Sequence, residues 1–156
     1  MTYILRREQW IARPIDEVSA FFADAHNLEE ITPPWLGFKI LSMSTDSIKE
    51  GTTISYRLRL HGIPIHWRTK ICEWNPPHCF VDDQTKGPYK QWRHTHRFEA
   101  HGNRTKMMDE VQYSLPFGVL GRIVHAVKVR RDISRIFDYR RLQIDVLFGR
   151  PGENAA

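Results

Sequence analysis

The segment Trp92-Arg93-His94-Thr95-His96-Arg97-Phe98 holds the residues best suited to chemistry. Alternate side chains of a strand share a face, so Trp92, His94, His96 and Phe98 fall together, opposite Arg93, Thr95 and Arg97. The two large rings mark their face as the inner one, which takes both imidazoles out of water and sets them beside aromatic walls. A polar ring in such a place needs a hydrogen-bond partner or a ligand. Either the histidines orient a carbonyl, hydroxyl or carboxylate of a bound molecule, or they bond to neighbours such as Asp82, Gln84 or Asp109.

Acid–base catalysis would use His94, His96 and Asp109, with Asp109, Asp82 or Tyr56 setting the tautomer of a histidine that touches substrate. No Ser-His-Asp or Cys-His context narrows that chemistry further. A His-x-His strand pair also suits a metal ion, with His66 or Asp109 as a third ligand. No second ligand motif accompanies the pair, so neither a metal nor any other cofactor is expected. Arg68 and Arg93 could grip an acidic head group, but strand parity sets them opposite Trp67 and Trp92 and favours the outer face.

The elements that position these residues follow from periodicity. Tyr3 to Ile11 alternates as a strand. Arg13-Pro14 then opens a short helix with Asp16 and Glu17 at its positive end and Val18, Phe21 and Phe22 on one face. A second short helix is expected over 27–31, stopped by Thr32-Pro33-Pro34. Strands follow over 38–43, from Gly51 to Leu60, 63–74, 79–85, 89–101 and 104–115, with turn chemistry at His61-Gly62, Lys86-Gly87-Pro88 and Gly102-Asn103. The sheet is therefore antiparallel, with about six or seven strands. Beyond Gly118 the period changes, and Leu120, Ile123, Val124, Val127, Ile133, Ile136, Phe137, Arg140 and Ile144 recur at helical spacing. One helix of about 28 residues would extend roughly 40 Å and cross the whole sheet. The expected domain covers 1–148, with 149–156 a flexible tail.

The 156 residues fit one domain, and 41% hydrophobic content supports a substantial core. Arg6, Arg7 and Glu8 interrupt any apolar leader, and no window approaches the roughly 20 apolar residues of a membrane span. A soluble cytoplasmic protein is expected, with Cys72 and Cys79 reduced and serving as packing residues. The net charge of +5 concentrates near the C-terminus in Lys128, Arg130, Arg131, Arg135, Arg140 and Arg141. Such a stretch could meet nucleic acid or anionic lipid. Asp132, Asp138 and Asp145 are interleaved with it, which favours a solvated face.

Several segments carry a family resemblance: 25–36, from Ala25-His26-Asn27 to Pro33-Pro34-Trp35-Leu36; 62–71, beginning Gly62-Ile63-Pro64; and 87–98, containing the paired histidines. With Asp109, Tyr113, Leu115-Pro116-Phe117-Gly118 and Phe137-Asp138-Tyr139-Arg140, they resemble an uncharacterised bacterial branch of the SRPBCC superfamily. That superfamily includes START lipid-transfer domains, the birch-pollen-allergen group and polyketide cyclases. The resemblance implies an α+β helix-grip fold, in which a curved antiparallel sheet wraps one long C-terminal helix and two short helices follow strand one. It also implies an internal cavity for an apolar small molecule such as a lipid, polyketide-like or aromatic metabolite. Some members are joined to a sugar-nucleotide epimerase-like domain, which makes an epimerase-like protein a possible partner. This chain has no dinucleotide-binding glycine fingerprint of its own.

The expected cavity wall draws Tyr56 and Trp67 from the hairpin, and Trp92, His94, His96 and Phe98 from the histidine strand. Met107, Asp109, Val111 and Tyr113 join from the next strand, and Ile123, Val127 and Phe137 from the helix. Trp35, Leu36 and Phe117 are expected at the mouth. Binding of an apolar molecule is the leading reading. Its alternatives are a cyclase- or dehydratase-type enzyme using His94, His96 and Asp109, and a basic surface-interaction protein. Sequence sets no oligomeric state.

Overall fold

In the computed structural model of the protein, residues 1–116 and 118–149 are described, apart from the side chains of residues 121, 122 and 124–126. Seven strands form one antiparallel sheet: β1 (Tyr3–Ile11), β2 (Lys39–Met43), β3 (Thr53–Leu60), β4 (Ile63–Asn75), β5 (Cys79–Lys86), β6 (Gln91–His101) and β7 (Arg104–Ser114). Their spatial order is β1-β7-β6-β5-β4-β3-β2, so each strand from β2 to β7 lies beside its sequence neighbour and β1 closes against β7. His61 and Gly62 both take positive φ, the backbone of a tight hairpin turn whose twist matches the strands it joins. Register shifts between Arg68 and Thr69 and between Ile71 and Glu73 interrupt the β4–β5 ladder. Extra residues of this kind bend a strand and increase its twist, which gives the sheet a hollow side.

Parity holds as expected along the inner face. Tyr3, Leu5, Arg7, Gln9 and Ile11 are the less exposed set of β1, and Thr105, Met107, Asp109, Val111 and Tyr113 are all buried on β7. The short helix α1 (Ile15–Ala23) starts after Pro14, with Asp16 and Glu17 in its first turn, and buries Val18 and Phe22. The second short helix is a 3-10 segment at Ala25–Glu29, two residues earlier than periodicity suggests, because the Asp24 carboxylate accepts from the His26 amide and fixes the start. Pro34–Leu36 forms a further 3-10 turn, ended by Gly37 in the left-handed region. Trp35 and Leu36, expected at the cavity mouth, thereby lie in this 3-10 turn.

The C-terminal helix comprises α2 (Gly118–Val124), a π-helical turn (His125–Val129) and α3 (Arg130–Phe148). α3 buries Ile133, Phe137, Ile144 and Phe148. One core cluster joins Ile11, Val18, Phe22, Ile31, Phe98 and Met107 to Ile144 and Phe148. A second joins Val111 and Tyr113 to Ile133 and Phe137, and a third gathers Leu36, Leu58 and Trp67.

Gln9 ties the helix to the sheet edge, its Nε2 donating to the Arg141 carbonyl at 2.9 Å and to Asp145 Oδ1 at 2.7 Å. Gln9→Ala should therefore cost about 2–4 kcal/mol in urea unfolding, the sum of one neutral and one charge-assisted hydrogen bond. A loss under about 0.3 kcal/mol would mean that the tether does not hold α3 in place.

Candidate functional site

Three adjacent strands bring the polar residues of the interior together. Asp82 on β5 pairs directly with His94 on β6, and His96 pairs directly with Asp109 on β7. Cross-strand partners share a face, so all four side chains point to the hollow side. His94 Nε2 lies 2.9 Å from Asp109 Oδ1, and His96 Nε2 lies 3.2 Å from Asp82 Oδ2. The other ring nitrogens face the opposite carboxylates: His96 Nδ1 is 3.0 Å from Asp109 Oδ1, and His94 Nδ1 is 4.0 Å from Asp82 Oδ2. Thr69 Oγ1 donates to Asp82 Oδ1 at 2.9 Å and fixes that carboxylate from β4.

Aromatic packing holds the rings in place. The imidazoles lie 3.7 Å apart, His96 stacks on Phe80 at 4.0 Å, and His94 meets the edge of Phe137 at 5.4 Å. Burial and the neighbouring His96 push the His94 imidazole down to about 4, against the pull of Asp109, so it is neutral at neutral pH. Burial alone would raise the Asp109 carboxyl. The Arg140 guanidinium and the two histidines outweigh it and hold Asp109 well below the usual carboxylate range. Asp82 is lowered in the same contest, burial opposing the hydrogen bonds from His96 and Thr69 and the charge of the imidazoles.

Of the two sequence readings of the histidines, internal pairing with Asp82 and Asp109 is what the geometry displays. Gln84 is engaged elsewhere, donating to the Tyr89 carbonyl at 2.7 Å. The carboxylate completing the cluster is Asp82. His66 is exposed on the opposite face of β4 from Trp67 and cannot join it. Arg68 and Arg93 lie on the outer side as parity indicates, Arg68 donating to Ser55 at 3.2 Å and Arg93 paired with Asp83 at 2.8 Å.

Next to the cluster the expected wall is aromatic. Tyr56 stacks on Trp67 at 5.9 Å, Trp67 meets Trp92 at 5.3 Å, and Trp92 meets Tyr113 at 5.9 Å. Phe98, Met107 and Val111 are buried on the same side of the sheet. Two helix positions depart from expectation: Ile123 and Val127 are 58% and 76% exposed. The π-helical turn between α2 and α3 accounts for this: Val127 lies within the turn, and its extra residue rotates the segment carrying Ile123 by roughly 100° relative to the buried stripe of α3. Trp35 and Leu36 border an open groove of about 300 Å³ shared with Leu60, Asp132, Arg135 and Ile136. Phe117 and the tail beyond Gly149 lie outside the described residues.

Arg140 is the interior residue that the sequence reading did not place at the site. Its guanidinium lies 5.4 Å from the Phe22 ring and 5.8 Å from the Phe137 ring. Its Nε and Nη2 are buried without a hydrogen-bond partner, as is Trp67 Nε1. The signal was present, since an arginine at 140 interrupts the apolar series 133, 136, 137 and 144 on the face that must be inside. On the outer face of α3, Asp132 pairs with His61 at 2.7 Å, and Arg135 lies over Trp35. No helix among the described residues is long and apolar enough to cross a membrane.

A bent antiparallel sheet closed by a long C-terminal helix, with two short helices after the first strand, is the helix-grip arrangement of the SRPBCC superfamily. The chain belongs to the family described as polyketide cyclase / dehydrase and lipid transport, whose model matches residues 11–135. Solved structures with the same fold include truncated norcoclaurine synthase from Thalictrum flavum, with a TM-score of 0.70 at 13% identity over 97% of this chain and 96% of that one. Major latex-like protein 151 from Panax ginseng has a TM-score of 0.70 at 13% identity, covering 95% and 98%. A START superfamily protein from Mycobacterium smegmatis has a TM-score of 0.69 at 10% identity, covering 92% and 98%. A comparison with curated proteins finds no match.

Proposed function

We propose that the protein binds one apolar small molecule, with an aromatic or alicyclic body and a carbonyl or carboxylate end, between the hollow side of the sheet and α3. The observation that carries this reading is the set of orphan donors: Trp67 Nε1 and Arg140 Nε and Nη2 are buried with no acceptor. Buried donors are rarely left so, and each costs about 1–3 kcal/mol until something accepts from it. An acceptor-bearing ligand supplies what they lack, while the rings of Tyr56, Trp67, Trp92 and Phe137 offer it apolar contact. The groove bordered by Trp35, Leu36 and Ile136 is the way in, because Leu36 and Ile136 also belong to the Trp67 cluster.

Native mass spectrometry with organic extraction of the purified protein is expected to find a bound compound of this class. A panel of lipids and aromatic acids should include one that raises the melting temperature. Arg140→Met should weaken that compound about tenfold to a hundredfold, the worth of a hydrogen bond to a charged group. A protein that carries nothing and responds to nothing in the panel would sink the reading.

A second reading, acid–base turnover of such a ligand, is favoured by the His94–Asp109 pair. A neutral imidazole backed by a carboxylate is ready to accept a proton from substrate. Replacing both His94 and His96 by Gln would then abolish turnover while leaving ligand affinity largely intact. Equal loss of affinity and turnover would return the histidines to a binding role.

A further inference from the structure

We propose that Asp82 Oδ2, His94 Nδ1 and His96 Nε2 bind one divalent first-row transition ion, with Asp109 orienting both histidines from behind. One ligand atom from each of Asp82, His94 and His96 lies within 4.8 Å of the others. Tetrahedral coordination at bond lengths near 2.1 Å sets ligand atoms about 3.4 Å apart. The observed 3.2 Å and 4.0 Å from Asp82 Oδ2 to the two imidazoles bracket that spacing.

The proton inventory points the same way. A neutral imidazole has one N–H and one lone pair. Each nitrogen of His96 lies near a carboxylate oxygen, at 3.0 Å and 3.2 Å, so a ring with a single proton can satisfy only one of them. His96 Nδ1 makes no aligned hydrogen bond where it sits. Placing both histidine protons toward Asp109 Oδ1 turns the remaining lone pairs, His94 Nδ1 and His96 Nε2, toward Asp82. A cation among those three atoms removes the conflict. Metal-bound histidines characteristically donate their other N–H to a carboxylate, the position Asp109 occupies. Thr69 completes the outer shell by holding the second oxygen of Asp82.

Charge balance agrees. Among the described residues, Asp82 has no lysine or arginine in ion-pair contact, its polar contacts being His94, His96 and Thr69. Two nitrogens and one carboxylate oxygen suit zinc or iron(II), and three protein ligands leave a coordination position for water or a ligand oxygen. This goes beyond the small-molecule reading and does not depend on it, since the ion needs no organic ligand to bind.

The test uses the full chain, purified without an affinity tag, dialysed against chelator and titrated with zinc and with cobalt(II). One ion per chain is expected, with the visible absorption of cobalt in a low-symmetry nitrogen–oxygen site. The melting temperature should rise by roughly 5–10 °C when zinc is a hundredfold above its Kd. Asp82→Asn and His96→Gln should abolish uptake, and Asp109→Asn should weaken it tenfold to a hundredfold. His61→Ala, which removes the exposed His61–Asp132 pair, should leave uptake unchanged. A wild-type chain that takes up neither ion overturns the proposal, as does uptake that survives Asp82→Asn or disappears in His61→Ala. Should the cluster variants fail to fold, the wild-type cobalt spectrum and the His61→Ala comparison still decide it.

Discussion

Asp109→Ala is expected to lower folding stability by about 3–5 kcal/mol, a large share of the 5–15 kcal/mol typical of a domain. The expectation rests on what the change leaves behind. Asp109 is buried, accepts from His94 at 2.9 Å, lies 3.0 Å from His96 and offsets the buried guanidinium of Arg140. Removing it leaves the His94 donor without its acceptor and takes a compensating negative charge away from a guanidinium whose Nε and Nη2 already lack a partner. A double-mutant cycle with Arg140→Met, read by urea unfolding, isolates the pair. The double variant should be less damaged than the sum of the singles by about 0.5–3 kcal/mol. Strict additivity would show that the two side chains do not sense each other.

Phe137→Ala should cost a similar amount, about 3–5 kcal/mol, by a different route. Phe137 is buried against Val111, Tyr113 and Ile133 and also closes the side of the site, meeting the His94 ring at 5.4 Å. Its truncation opens a space that rigid strands cannot collapse to fill, and frees His94 to tilt. Val127→Ala on the same long helix serves as the contrast. With Val127 exposed, that change should stay within about 0.5 kcal/mol. Equal effects at the two positions would mean that the helix presents a different face to the sheet.

That contrast shows where sequence reasoning succeeded and where it stopped. Period two is a local property, so the inner face of β6 and β7, with His94, His96 and Asp109 on it, was legible from the order of residues. Which carboxylate completes the cluster was not, because Asp82 reaches His94 only through the β5–β6 register, and bulges in the neighbouring ladder shift such registers by one. Arg140 was visible as a charge in an apolar stripe, but its meaning depends on Phe22 and Phe137, which are distant in sequence. Ile123 and Val127 were assigned inward on the assumption of one uninterrupted helix. A single π-helical turn leaves no composition signal and changes the face of everything before it.

The closure of the sheet by β1 against β7 sets an order in which the molecule can assemble. Strands β2 to β7 each find their partner next in sequence, so that meander can form as a succession of hairpins while the chain is being synthesised. Tyr3 must wait for Tyr113, and Gln9 must wait further for Arg141 and Asp145. Closing so long a loop carries an entropic cost that local contacts do not, and contacts of this separation slow folding. Of the seven strands, β1 is synthesised before the rest and is therefore the last to be incorporated. Until α3 arrives, the histidine–aspartate cluster faces solvent on an open sheet.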